Sequence, residues 1–483
     1  MITRTEKYRR RHSLAAALAD RFSTAVLGIV SAHVFYLMII ASASQLGYAA
    51  KISLFAFLSA MTLWVATKMS AGWVAVSLLV FIVLFKAGKP ALLYDSLSEE
   101  IVWLMIGAFI IGEAVKQSGL ATRFSEIIVR FSKSRNQLIS GISAALFASA
   151  FFIPSTSGRA ALSMPMLKQL SSRLSPREQS VLAIIVPVVI LMSTSATLIG
   201  AGSHLIGIGL LESTAGQSIS FIQWLIWGVP FALFITVLSV VMIKIVLWPK
   251  EAGQEMEYQP SNPVILQKKP LEKNEKKTLA AIFLLMGGWL SESIHGYDIA
   301  FITLLGAVLV MLPSYGVITW KQGIKAVSWN LILFVAAATA LGQVMVENGV
   351  VSWIEKGMFG FLRLFGDAPD WAVVTIILLV TVTSHLYITS HTTRAIVFIP
   401  SFILFSQSIG MNPAAVVFLC LIGMNYCITV PVSSKALLLF YEEGEISYDA
   451  RKLAKISAIL MPVYIMAMLL FYFTYWHWTG LHL

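Results

Sequence analysis

The chain has 483 residues, 58% of them apolar and only 12% charged, with a formal net charge of +11 and a strongly positive mean hydropathy. A soluble domain carries about a quarter charged residues, so this composition excludes a soluble globular fold and describes an all-α polytopic membrane protein. The basic excess lies in loops, where it signals topology and meets anionic lipid rather than nucleic acid.

In chain order, residues 1–23 form a basic arm, followed by an apolar run from Thr24 to Ile40 and then Ala41-Ser42-Ala43. The run exceeds the roughly 7–15 residues of a signal-peptide core, so a retained first span is expected. Candidate spans follow at 24–42, 49–67, 71–86 and 101–118, then a hairpin at 137–171, a broken segment at 181–211 and a span at 221–247. A solvated linker, 248–277, carries six lysines and divides a first repeat (24–247) from a second (278–483). The second repeat reads 278–293, 298–314, 330–347, a hairpin at 371–407, a broken segment at 412–440 and a span at 456–476. At about 20 residues per span, this predicts about 11 transmembrane helices plus two re-entrant hairpins.

With the N-terminus cytoplasmic, the arm and the segments 119–136, 168–178, 248–277, 315–329 and 441–455 are the basic loops. The segments 43–48, 212–220, 408–411 and 477–483 contain no Lys or Arg, and only 86–100 and 348–370 break the pattern. The positive-inside rule then places the C-terminus on the opposite side, as in a bacterial inner-membrane protein. On this map the hairpins enter from opposite sides. Glu113 to Leu120 recurs as Gln343 to Val350, offset by 230, and the hairpin motif recurs at an offset of 235. Inverted repeats with interrupted helices are the sequence mark of a secondary transporter whose site lies near the midplane.

The residues that carry chemistry sit at the hairpins and breaks. Ser155-Thr156-Ser157 precedes Arg159 and Pro165, and Ser390-His391-Thr392 precedes Arg394 and Pro400 at the same spacings. An arginine inside a span costs about 2.5–3.5 kcal/mol on an insertion scale, and two at matching positions suggest a site for an anion. Each lies near a half-helix N-terminus, where backbone N–H groups also favour negative charge. The planar fork of arginine suits carboxylate or sulfate. Snorkelling to an interface or pairing with backbone carbonyls is the bland alternative for both arginines, and helix capping for the hydroxyls.

The breaks Ser193 to His204 and Pro431 to Lys435 offer Thr197, Gly200, Ser203, His204, Ser433, Ser434 and Lys435 as an ion or coupling site. Lys435, close to Glu442, has a surface reading as well. His204, His385 and His391 match no metal motif, and Glu113 is the one carboxylate inside a span. Cys420 and Cys427, seven residues apart in apolar sequence, read as packing residues.

These tips, the prolines at Pro165 and Pro400, Ala196-Thr197-Leu198-Ile199-Gly200, the run Gly316 to Gln322 and Trp329-Asn330 together resemble the divalent anion:sodium symporter family, transporters of sulfate, dicarboxylates and citrate. The resemblance implies an elevator-type homodimer with two sodium sites built partly from asparagines at the tips and breaks. Thr156, His391 and Gly202-Ser203-His204 stand where that pattern has its asparagines, and Lys435 lies in the second break. Fixed cations that can stand in for sodium put sodium coupling in doubt, and coupling to protons or a counter-anion is the expectation, with Na+ as the alternative.

The expected activity is therefore secondary transport of a small divalent anion, dicarboxylate or sulfate-like, with no catalytic residues, cofactor or metal. The alternatives are an arsenite or sodium/proton antiporter, disfavoured by buried arginines without a buried aspartate, and a membrane-embedded enzyme acting on an anionic lipid. The enzyme would need an acid/base pair that the apolar segments lack.

Overall fold

The computed structural model describes residues 24–67, 69–120, 134–151, 156–171, 174–249, 270–350, 369–388, 391–442 and 447–483, with residues 123, 132, 153 and 353. The basic arm, most of the linker, Ser155 and Ser390 lie outside the described residues. All regular elements among the described residues are helical.

The first helices are α1 (Thr24–Ser42), α2 (Tyr48–Ala66), α3 (Ala71–Leu84), α4 (Ala91–Asp95) and α5 (Glu100–Gln117). There follow α6 (Arg135–Ser149), α7 (Thr156–Ser171), α8 (Pro176–Ser193), α9 (Gly202–Ala215) and α10 (Phe221–Leu247). After the linker come α11 (Lys273–Leu290), α12 (Glu292–His295), α13 (Ile299–Val310), α14 (Trp320–Ala326) and α15 (Trp329–Glu347). The last are α16 (Asp370–Thr383), α17 (His391–Ser408), α18 (Pro413–Asn425), α19 (Lys435–Glu442) and α20 (Ala450–Phe471).

Side-chain caps set several starts: Ser134 accepts from Gln137 N–H at α6, and Asp298 from Phe301 N–H at α13. Ser175 with Glu178 closes a capping box at α8, as Thr319 with Gln322 does at α14. Each cap satisfies donors that the first helical turn leaves free.

Among the described residues, four helical stretches are long and apolar enough to cross a membrane: Pro176–Ala196, Phe221–Leu247, Trp329–Glu347 and Ala450–Trp476. Six shorter apolar helices accompany them. Exposed apolar side chains such as Leu37, Val237, Phe283 and Met466 would be costly in water and suit lipid contact. The protein is an integral membrane protein.

The chain divides into two compact units, Met1–Leu97 with Leu333–Gly357, and Ser98–Ile332 with Met358–Leu483. Each unit joins segments from both sides of the linker. In the first, α2 packs on α1 and α3, and Ile40, Leu54, Met345 and Val350 form a core. Asn348 Nδ2 donates to Ser53 Oγ (2.7 Å) and Ala87 O (2.9 Å).

In the second unit, α8 and α18 are buried on every side, as an all-round apolar helix requires. Both stop inside the protein and restart as α9 and α19. The restarts cross over: α9 packs on α17, and α19 packs on α7 and α8. Arg135 Nε lies 3.3 Å from Glu178 Oε1 and joins the starts of α6 and α8.

Helix α10 can approach the first break because Gly228 has no side chain. A Cβ there would run into Ser195 O, the carbonyl that accepts from Trp224 Nε1 at 3.1 Å. Gly228→Ala should therefore lower the thermal midpoint in detergent, by the equivalent of about 1–3 kcal/mol for an overpacked contact. Gly287→Ala, where a Cβ meets nothing within 4 Å, should leave the midpoint unchanged.

Candidate functional site

The two breaks share one backbone. In the first, extended Thr197 (φ −133°, ψ 150°) and Ala201 (φ −146°, ψ 146°) flank a single 3₁₀ turn, Leu198–Gly200. In the second, Val430 (φ −128°, ψ 151°) and Ser434 (φ −151°, ψ 140°) flank the turn Pro431–Ser433. Gly200 is required by close approach, since a Cβ would run into Thr194 O. Ser433 Oγ accepts from Val430 N–H at 3.1 Å and Ser434 Oγ from Ala436 N–H at 3.2 Å, so both serines hold the backbone of the second break.

A helix that stops in a low-dielectric interior leaves carbonyls without partners. Arg159, 1% exposed, meets those of α8. Its Nη2 donates to Ile190 O (2.9 Å) and Thr194 Oγ1 (2.6 Å), and its Nη1 donates to Ser193 Oγ (2.9 Å). A cation at a helix C-terminus is also favoured by the macrodipole. Only Nε lacks a partner.

Arg394 differs. It lies in the first turn of α17, fully buried, and its one hydrogen bond to a hydroxyl is long, Nη1 to Ser384 Oγ at 3.4 Å. Nε and Nη2 have no partner. The Cys427 sulfur lies against the guanidinium and also 2.8 Å from His391 Nε2. His391 Nδ1 is buried without a partner. Among the described residues, no acidic side chain lies within ion-pair distance of either arginine.

His204 and Asn425 join the two breaks. His204 Nδ1 lies 3.1 Å from Thr197 O, and its Nε2 faces both Asn425 Oδ1 (3.1 Å) and Nδ2 (3.0 Å). Asn425 Nδ2 also donates to Ser195 Oγ at 3.0 Å, and the indole of Trp224 covers the imidazole at a ring separation of 4.6 Å. Thr197 Oγ1 donates to Ala150 O (2.7 Å), tying the first break to the end of α6. His385 is held between Val382 O (2.7 Å) and Thr429 Oγ1 (2.6 Å).

Of the residues singled out in the sequence, Arg159, Thr197, Gly200 and His204 gather at the first break, and His391, Arg394, Ser433 and Ser434 at the second. Ser203 is buried there with its hydroxyl unpartnered. Thr156, Ser157 and Thr392 are half-buried in the first turns of α7 and α17. Lys435 is exposed at the start of α19. Glu113 pairs locally with Gln117 (2.7 Å) and Lys116 (3.6 Å). Sequence reasoning misses Asn425 and the polar setting of Cys427; the one local signal for Asn425 is an amide closing the otherwise apolar run 413–424. Among the described residues, no group of three or more His, Cys, Asp or Glu is placed to hold a metal ion.

The profile of the sodium:sulfate symporter transmembrane region matches residues 22–482. The chain is 23% identical over 443 residues to a sodium-dependent dicarboxylate transporter of Staphylococcus saprophyticus, covering 83% of this chain and 82% of that protein. It is 23% identical over 404 residues to the citrate/succinate antiporter of Escherichia coli K12, covering 80% and 81%. The solved YdaH transporter of Alcanivorax borkumensis shares the fold at a TM-score of 0.52 and 13% identity, covering 77% of this chain and 84% of that one. This chain belongs to the sodium:sulfate symporter family and is a membrane transporter rather than an enzyme.

Proposed function

We propose that the protein is a secondary active transporter of a small dianion, a dicarboxylate or a sulfate-like oxyanion, bound between the starts of α7 and α17. The observation that carries this reading is Arg394: a buried guanidinium with Nε and Nη2 unpartnered and, among the described residues, no carboxylate within ion-pair distance. An unpaired buried charge is expensive, and a bidentate oxyanion is the ligand that such a fork recognises. His391 and the N-terminus of α17 add donors at the same place. The names of the relatives, a sodium-dependent dicarboxylate transporter and a citrate/succinate antiporter, favour a dicarboxylate.

The relatives carry both kinds of coupling in their names, so coupling is read from the site. Arg159 occupies the end of α8, where a bound cation would otherwise neutralise the free carbonyls. His391 and His204 stand where the family pattern has asparagines. Positive charge built into the protein makes sodium dispensable, which leaves protons or a counter-anion as the coupled species. The remainder of the reading is an elevator movement, about 11 spans with two re-entrant hairpins in inverted repeats, and a homodimer in a bacterial inner membrane with a cytoplasmic N-terminus. It rests on the charge map and on the family.

The two arginines should separate by experiment. In proteoliposomes, Arg394→Met should abolish succinate uptake while leaving the ligand-free thermal midpoint unchanged or raised, because the substitution removes the desolvation penalty of a buried charge and strands no partner. Arg159→Met should lower the midpoint, by the equivalent of about 3 kcal/mol, as the end of α8 loses its charged donors. The reverse ranking of midpoints, or wild-type uptake by Arg394→Met, would sink the assignment.

Coupling is tested separately. At clamped pH and membrane potential, uptake should not change when an inward sodium gradient is imposed. A steep rise with sodium would show that the fixed charges do not replace it.

A further inference from the structure

Cys427 sits beside a histidine and an arginine rather than among apolar side chains alone. Its sulfur is fully buried, lies 2.8 Å from His391 Nε2, and is touched by the Arg394 guanidinium and the Ser434 hydroxyl. Arg394 is itself fully buried, with Nε and Nη2 free to bind an oxyanion. Cys420 stands two turns earlier in α18, equally buried, with no charged side chain acting on it. The chain contains only these two cysteines, so the second is a built-in control for the first.

We infer that Cys427 is a reactive thiol inside the anion site, one that anionic electrophiles modify by entering along the route of the transported anion. The inference rests on the reading of Arg394 as an anion-binding residue. The chemistry is a simple displacement. As the Cys427 sulfur attacks the methylene of iodoacetate, its proton passes to His391 Nε2, an S–C bond forms, the C–I bond breaks and iodide leaves. While this happens the carboxylate of the reagent rests on the Arg394 fork. The product is a thioether that holds a carboxylate where the substrate's would lie, so it blocks transport.

Iodoacetate and iodoacetamide test this because they share size and leaving group and differ in charge. An ordinary thiolate repels the carboxylate of iodoacetate and reacts faster with the neutral amide. A positively charged cleft concentrates the anion instead, by roughly tenfold or more at low ionic strength, and should invert the order. The measurement is the rate of alkylation of each cysteine in the full-length protein in liposomes, followed by peptide mass spectrometry.

Cys427 should react faster with iodoacetate than with iodoacetamide, and faster than Cys420 with either reagent. Succinate should slow it, and Cys427→Ala should make uptake insensitive to iodoacetate. Arg394→Gln should restore the ordinary reagent order and Arg394→Lys should keep the inverted one. His391→Asn should slow both reagents alike.

If Cys427 prefers iodoacetamide in the wild-type protein, or reacts no faster than Cys420, the inference is overturned, and succinate uptake in the same liposomes then leaves the transport reading intact. If the inverted order holds but succinate neither protects nor is taken up, the inference stands and the dicarboxylate reading fails.

Discussion

A helix that ends inside a membrane protein must find partners for the carbonyls and amides it strands, because neither lipid nor apolar side chains supply any. Two buried helices end that way here, α8 and α18, and most of the polar chemistry of the second unit is arranged around their ends. At the first break, Arg159 takes Ile190 O together with the Ser193 and Thr194 hydroxyls. At the second, Ser433 and Ser434 take backbone N–H groups. Asn425 reaches from the end of α18 to Ser195 and His204, so each break is partly satisfied by the other.

The two arginines look equivalent in spacing and are not equivalent in situation. Arg159 spends its two terminal nitrogens on the protein. Arg394 spends one, at 3.4 Å, and keeps two nitrogens without partners. One therefore reads as part of the frame that holds the break, and the other as charge kept for a ligand. Removing a hydrogen-bonded buried charge leaves its partners stranded, whereas removing an unpartnered one strands nothing, so this asymmetry has energetic content beyond its geometry. It also distributes positive charge over both breaks with no carboxylate among the described residues within ion-pair distance to neutralise it, which is what a site for a dianion needs.

Much of the helical framework is legible in the amino-acid sequence alone. The apolar runs starting at Thr24, Ala71 and Phe221 lead to helices at those residues, and the small polar stretch 193–204 leads to a break. These are local matters, decided by apolar length, caps such as Ser175 and Asp298, and the scarcity of charge. Short helices such as α4 and α14 escape that reading, since neither has the length that makes a pattern visible. Cys427 reads as packing because apolar neighbours in sequence say nothing of His391 and Arg394, which reach it from another helix. The same blindness hides Asn425, whose partners lie 221 and 230 residues away.

The sequence by itself determined that the chain lives in a membrane, where its apolar helices run, and that two arginines with hydroxyls recur at matching positions. Those follow from composition and short-range spacing, which set the solvent a segment can tolerate and where a helix can begin. Only the tertiary structure decided how the two copies differ. Whether a guanidinium is spent on the protein or left unpartnered depends on which carbonyls, hydroxyls and thiols the packing of α7, α8, α17 and α18 brings within about 3 Å, and no local pattern encodes that.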